Sequence, residues 1–180
     1  MYVEAEFYTF DHVVRGLVDT PQERLSDFLN LKNDTSLLIR DAQISRLLGM
    51  GKSPPIRMSE TRMEKHSVLF AYPVERDMTT KSIYRRSVRQ VYQVAVILPN
   101  FELIGSIHLT EKLEIRRILL SRPDDFIPLT EATAIYSLYP AVTIWRSTIV
   151  FNKNRMVLIG EHTPAENPFN KPEQPPNPPK

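Results

Sequence analysis

Residues 14–44 and 103–134 carry one pattern twice, and this constrains the fold more than any other feature of the chain. In the first copy Val14, Gly16, Leu17 and Val18 lead into Thr20. Leu25, Phe28 and Leu29 follow, then Leu37, Ile39, Asp41 and Ala42. In the second, Leu103, Gly105 and Ile107 lead into Thr110, then Ile115, Ile118 and Leu119, then Ile127, Leu129, Glu131 and Ala132. Residues 20–42 align on 110–132 without a gap. Thr20/Thr110, Leu29/Leu119, Asp34/Asp124 and Ala42/Ala132 are identical, and Lys32/Arg122 and Asp41/Glu131 match in kind. Such self-similarity predicts two like units of about eighty residues each.

Each copy opens on a strand. Val3, Ala5 and Phe7 alternate with Glu4, Glu6 and Tyr8, the period of a half-buried strand. Val94 and Val96 do the same in the second copy, and Pro99-Asn100 reads as the turn after it. The next strands, 13–19 and 103–109, contain Gly16 and Gly105. Glycine inside a strand marks a bulge or sharp bend, as where a small barrel turns its corner. A short helix is expected next. Thr20 stands as N-cap, Pro21 at the first helical position and Glu23 as the capping-box acid. Leu25, Phe28 and Leu29, and likewise Ile115, Ile118 and Leu119, share one helical face suited to plugging a barrel end. Strands are expected at 36–45, 56–63 and 67–71 in the first copy. Those of the second fall at 126–136, 142–152 and 155–160, with Lys153-Asn154 as a hairpin turn.

The expected fold is therefore mainly β: two tandem small bent β-barrels of about five strands each, with a short helix between the second and third strand of each. The first barrel spans 1–72, a basic flexible linker 73–90, the second barrel 91–162 and a Pro-rich disordered tail 163–180. Seven of the fifteen prolines fall in 164–180, which excludes helix and sheet there. Such a tail is read as solvated, or as a ligand for an aromatic-lined groove.

Composition narrows function mainly by exclusion. With no cysteine there is no disulfide framework, thiolate metal site or thiol catalysis. A net charge of +2 gives no global attraction to nucleic acid or anionic membrane. Residues 1–6 carry acids where a secretory leader carries bases, and no apolar run reaches spanning length, so a cytoplasmic protein is expected. Gly49-Met-Gly51-Lys52-Ser53 resembles part of a phosphate loop, but Arg46 stands where the first glycine belongs, and Pro54-Pro55 stand where the helix must begin. His12, His66, His108 and His162 have no metal-ligand spacing, and His108 is expected to face solvent. No Gly-x-Ser-x-Gly elbow occurs. Asp124-Asp125 and Glu23/Asp27 read as solvated acids. No catalytic residue, metal or cofactor is assigned, and a non-enzymatic module is expected.

The candidate site is the basic cluster Arg85, Arg86 and Arg89, joined by Arg116 and Arg117. Guanidinium forks suit phosphate, so these arginines are read as a phosphate or nucleic-acid contact, or else as a solvated linker. Arg85-x-x-x-Arg89 followed by Asn100-x-Glu102-x-x-Gly105 is similar to the cyclic-dinucleotide signature of PilZ barrels. It departs from that signature by an acid where a serine belongs and by a short gap. The hydrophobic-x-Gly-x-hydrophobic strand resembles the opening of Sm-like barrels, from which the intervening helix departs. A closer resemblance is to an uncharacterised bacterial family of small domains. It is carried by Arg24-Leu-Ser-Asp-Phe-Leu-Asn30, by Phe126-Ile-Pro-Leu-Thr-Glu-Ala132 and by Val150-Phe-Asn-Lys153. That resemblance implies a fold and a bacterial source but no activity. The expected role is a binding or assembly module with a protein partner or a second copy, and no membrane. Nucleic acid or nucleotide is the alternative.

Overall fold

The computed structural model describes residues 2–21, 24–48, 51–74, 90–109 and 123–163. The first half contains β1 (Tyr2–Tyr8), β2 (His12–Asp19), α1 (Leu25–Leu29), β3 (Ser36–Arg46), β4 (Ile56–Glu64) and β5 (Phe70–Pro73). The second contains β6 (Gln90–Leu98), β7 (Phe101–Leu109), β8 (Phe126–Tyr136), β9 (Thr143–Asn152) and β10 (Leu158–Glu161). A 3-10 turn precedes the last strand of each half, at Lys65–Ser67 and Lys153–Arg155. Among the described residues the order β10-β6-β7-β8-β9-β5-β1-β2-β3-β4 forms one ten-stranded antiparallel sheet. That order has two ends. The expected pair of barrels is corrected on this point: neither half closes its own hydrogen-bonded ring, and the halves share a sheet instead.

Within each half the pairing is the same, residue for residue. Ala5 faces Gly16 and Val94 faces Gly105. Ser36 faces Glu64 as Phe126 faces Asn152. Phe70 faces Tyr8 as Leu158 faces Ile97. Even the irregularities coincide, with register shifts at Arg15/Leu17 and Ile104/Ser106. Opposite them, Asp41 and Glu131 adopt left-handed φ values of 51° and 47°.

The glycines at these shifts act through close approach. A Cβ on Gly16 would lie 2.5 Å from Ile39 Cγ2 and 2.8 Å from the Arg40 carbonyl oxygen, and one on Gly105 would lie 2.9 Å from Ala132 Cβ. Only a hydrogen fits there, so the next strand can fold in over the bulge. Asn100 likewise takes φ 64° in the turn between β6 and β7.

The helix of the first copy forms, but later than the capping box implied. It starts at Leu25 after an extended Arg24, with no side-chain cap bond. Thr20, the expected cap, is buried instead (1 % exposed). Leu25 and Leu29 are buried and Phe28 half-buried, all in the apolar cluster formed with Phe7, Val18, Ile39 and Val68. The expected second helix, with Ile115, Ile118 and Leu119, lies outside the described residues, as do most of the 73–90 linker and nearly all of the 163–180 tail.

Gly16→Ala and Gly105→Ala are expected to destabilise the fold by about 1–3 kcal/mol each. Gly16 should be the worse, because the backbone oxygen of Arg40 cannot rotate away. Gly160→Ala, with open space around it, is expected to stay within about 0.5 kcal/mol of the parent in denaturant unfolding.

Candidate functional site

Strand β5 leaves its own half on one side. It pairs β1 within the half and, on its other edge, β9 of the second half, Phe70 facing Phe151 and Ala71 facing Val150. The Asn152 amide donates to the Leu69 carbonyl at 2.9 Å. Its side-chain Nδ2 donates to the Val68 carbonyl at 3.0 Å. Val68 to Tyr72 is an unbroken apolar run, every residue at most 1 % exposed, because both faces of this strand are covered. Phe70 stacks on Tyr8 at 4.4 Å and meets Phe101 edge-on at 4.9 Å, so aromatic rings of the first half complete the interior of the second.

A second tie comes from α1. Asn30 Oδ1 accepts from the Asp125 and Phe126 amides, both at 2.9 Å, and its Nδ2 donates to the Phe126 carbonyl at 2.8 Å. Lys32 Nζ lies 2.6 Å from Asp125 Oδ2, and this bond holds the Asp125 carboxyl below its ordinary value. Asn30 therefore serves as a peptide-mimicking clip at the start of β8.

A polar ladder crosses the joint. Arg15 on β2, Glu6 on β1, Tyr72 on β5 and Arg146 on β9 form a row across four neighbouring strands. Glu6 accepts from the Tyr72 hydroxyl and from Tyr8 at 3.1 Å, and Arg15 stands 3.6 Å from its other oxygen. The Arg146 guanidinium lies 4.4 Å from the Tyr72 ring centre and donates to its hydroxyl. Burial, with Glu6 beside them, pushes both phenols above 10.0, so each stays a neutral donor. Arg15 donates its Nε to Glu4 Oε1 at 2.8 Å, so the ladder's polar groups meet partners within the row and beside it, which suits a strut between halves.

The remaining open features are the two ends of the sheet. Among the described residues β4 has no partner on its outer edge, with Ile56 and Met58 exposed, and neither has β10, with Leu158 and the preceding Val157 exposed. Unpaired strand edges of this kind invite further pairing. Arg57, Glu60, Arg62 and Glu64 interleave charge along β4.

The arginines expected to contact phosphate, Arg85, Arg86, Arg89, Arg116 and Arg117, all lie outside the described residues. The Gly51-Lys52-Ser53 turn leads into β4 and not into a helix, so no helix amides face it. His108 alternates with buried Ile107 and Leu109, on the outward side as expected, but is not fully solvated. It is half-buried, Nε2 sharing a 2.8 Å hydrogen bond with Thr130 Oγ1. Among the described residues no group of three or more His, Asp or Glu converges, and no helix is long and apolar enough to cross a membrane. Two depressions among the described residues, one at Asp41 and Arg57 and one at Phe10, His66 and Arg155, are open to solvent. The joint residues Asn30, Phe151 and Asn152 lie in the runs that carried the family resemblance, yet nothing in those runs says that they meet.

Alkaline titration reads the ladder. Tyr8 and Tyr72 ionise more readily unfolded than folded, so their stabilisation is complete below pH 10 and is lost as pH rises above it. The chain is expected to unfold at a lower denaturant concentration at pH 11 than at pH 8. In Tyr8→Phe that difference should shrink, as followed by circular dichroism.

No family model matches the chain, and neither a curated relative nor a solved structure does.

Proposed function

We propose that the chain is a non-enzymatic assembly module, a doubled β-rich unit whose working surfaces are the open edges of β4 and β10. The observation that carries this reading is the joint itself. The two halves repeat each other's registers, and they are held together by the last strand of one adding to the fourth strand of the other. A unit that joins its neighbour by strand addition, placed twice in one chain, leaves one edge of each kind unused among the described residues. The likeness to an uncharacterised bacterial family and to Sm-like barrels fits such a module but brings no ligand with it.

Edge accessibility gives the test. A photo-crosslinking residue is placed at Met58 or Leu158 of the full chain in cells, with Tyr139, exposed in the turn between β8 and β9, as control. Adducts migrating above the 20.9 kDa chain are expected from the two edges and not from Tyr139. If neither edge yields an adduct, with itself or with any other protein, the assembly reading fails.

A further inference from the structure

We infer that the occupant of each open edge is the opposite edge of a second copy of this chain, β10 of one copy pairing antiparallel with β4 of the next in the register of the internal β5–β9 joint. The inference rests on the assembly reading and names its partner.

The argument is a comparison of matched positions. The two halves superpose by register, which makes Phe70 the counterpart of Leu158 and Phe151 the counterpart of Met63. Where the neighbouring half is present, these places are sealed: Leu69, Phe70 and Phe151 are each 0 % exposed. Where it is absent, the matching places at β10 are apolar and uncovered, Val157 at 66 % and Leu158 at 53 %. Ile159, the counterpart of Ala71, is turned into its own half, where it packs against the second cluster. Leu158, the next side chain along, is therefore the one left without a host. Met63 packs at the margin of the first half's interior, in the place Phe151 holds in the second. The internal joint thus predicts Leu158 facing Met63 and Ile159 facing Arg62, with the Glu64 amide donating to the Val157 carbonyl as Asn152 donates to Leu69.

Two contacts are not carried over: Ala71 faces buried Val150 at the internal joint, whereas Ile159 meets Arg62, exposed on β4. Asn152 donates its side-chain amide to Val68, whereas Glu64, in the matching place, is a carboxylate that accepts only. The joint between copies is then weaker than the one within a copy, as a reversible association requires. The contact is head-to-tail, so successive copies close into a ring or run on as a filament according to the rotation each joint imposes.

The chain has no cysteine, so the register can be read by engineered disulfides. At the internal joint the 69/152 pair is hydrogen-bonded, which makes 70/151 the close, non-hydrogen-bonded pair whose spacing a disulfide spans. Met63→Cys and Leu158→Cys are made in separate chains, each checked for parental unfolding behaviour, and mixed under mild oxidation. A disulfide-linked dimer is expected from the mixture and not from either variant alone, and Met58→Cys mixed with Leu158→Cys should link far less. Sedimentation of the unmodified chain should show mass rising with concentration, with Leu158→Asp weakening that association by about tenfold or more. A monomer at every concentration, or a dimer formed by Met63→Cys alone, overturns the head-to-tail inference. Edge adducts with a different protein in the crosslinking test would still leave the assembly reading standing.

Discussion

Backbone groups on the side of a strand that faces no neighbour must find partners or stay in water, and this requirement organises the molecule. Among the described residues each half builds the same five-strand arrangement and leaves the outer edge of its last strand without a partner in that half. In the first half that edge is Val68–Tyr72, apolar on both faces, which water cannot cover without exposing five side chains. The second half covers it. The Asn152 amide and side chain close the ladder, and the rings of Tyr8, Phe70 and Phe101 pack across it. Removing a ring such as Phe70 from this place would empty a site buried on every side, a loss of the order of 3–5 kcal/mol for an aromatic core residue.

The strands reach one another only because they bend, and the bends have a definite chemistry. At Gly16 and Gly105 the missing side chain admits Ile39 and Ala132 to a separation that no Cβ tolerates. Asp41 and Glu131 supply the left-handed residue across the bulge. The strain of a left-handed acid and the low propensity of a strand glycine are both local debts, offset by burial of Leu37, Ile39, Leu129 and Ala132. Polar groups at the joint follow the same rule, each buried donor or acceptor meeting another. Glu6, Tyr72 and Arg146 meet one another in a row, with Arg15 bonded to Glu4 beside them, and Asn30 substitutes for a strand neighbour where β8 begins.

Much of this was legible in the residues. Alternation in Val3, Ala5 and Phe7, the paired glycines, the Pro99-Asn100 turn and the i, i+3, i+4 face of Leu25, Phe28 and Leu29 each produced the local structure they imply. Local structure is set within a few residues, so such signals suffice. They misplaced the start of α1 because Thr20 had two uses open to it, as cap or as interior side chain, and only packing chooses between them. The hydrogen bond of His108 was hidden for a related reason: its partner Thr130 is distant in the chain.

The sequence by itself determined that there are two like units, mainly β, each bent at a glycine over an apolar interior. Whether those units close on themselves or share a sheet was decided by the tertiary structure alone. The run Val68–Tyr72 announces a strand covered on both faces, but hydrogen-bonding edges are made of backbone, identical at every residue, and side chains do not name the strand that will lie beside them. The same apolar alternation serves a closed barrel and an open joint. Only the geometry of the bends, summed over five strands, leaves β5 beside β9 and not beside β4.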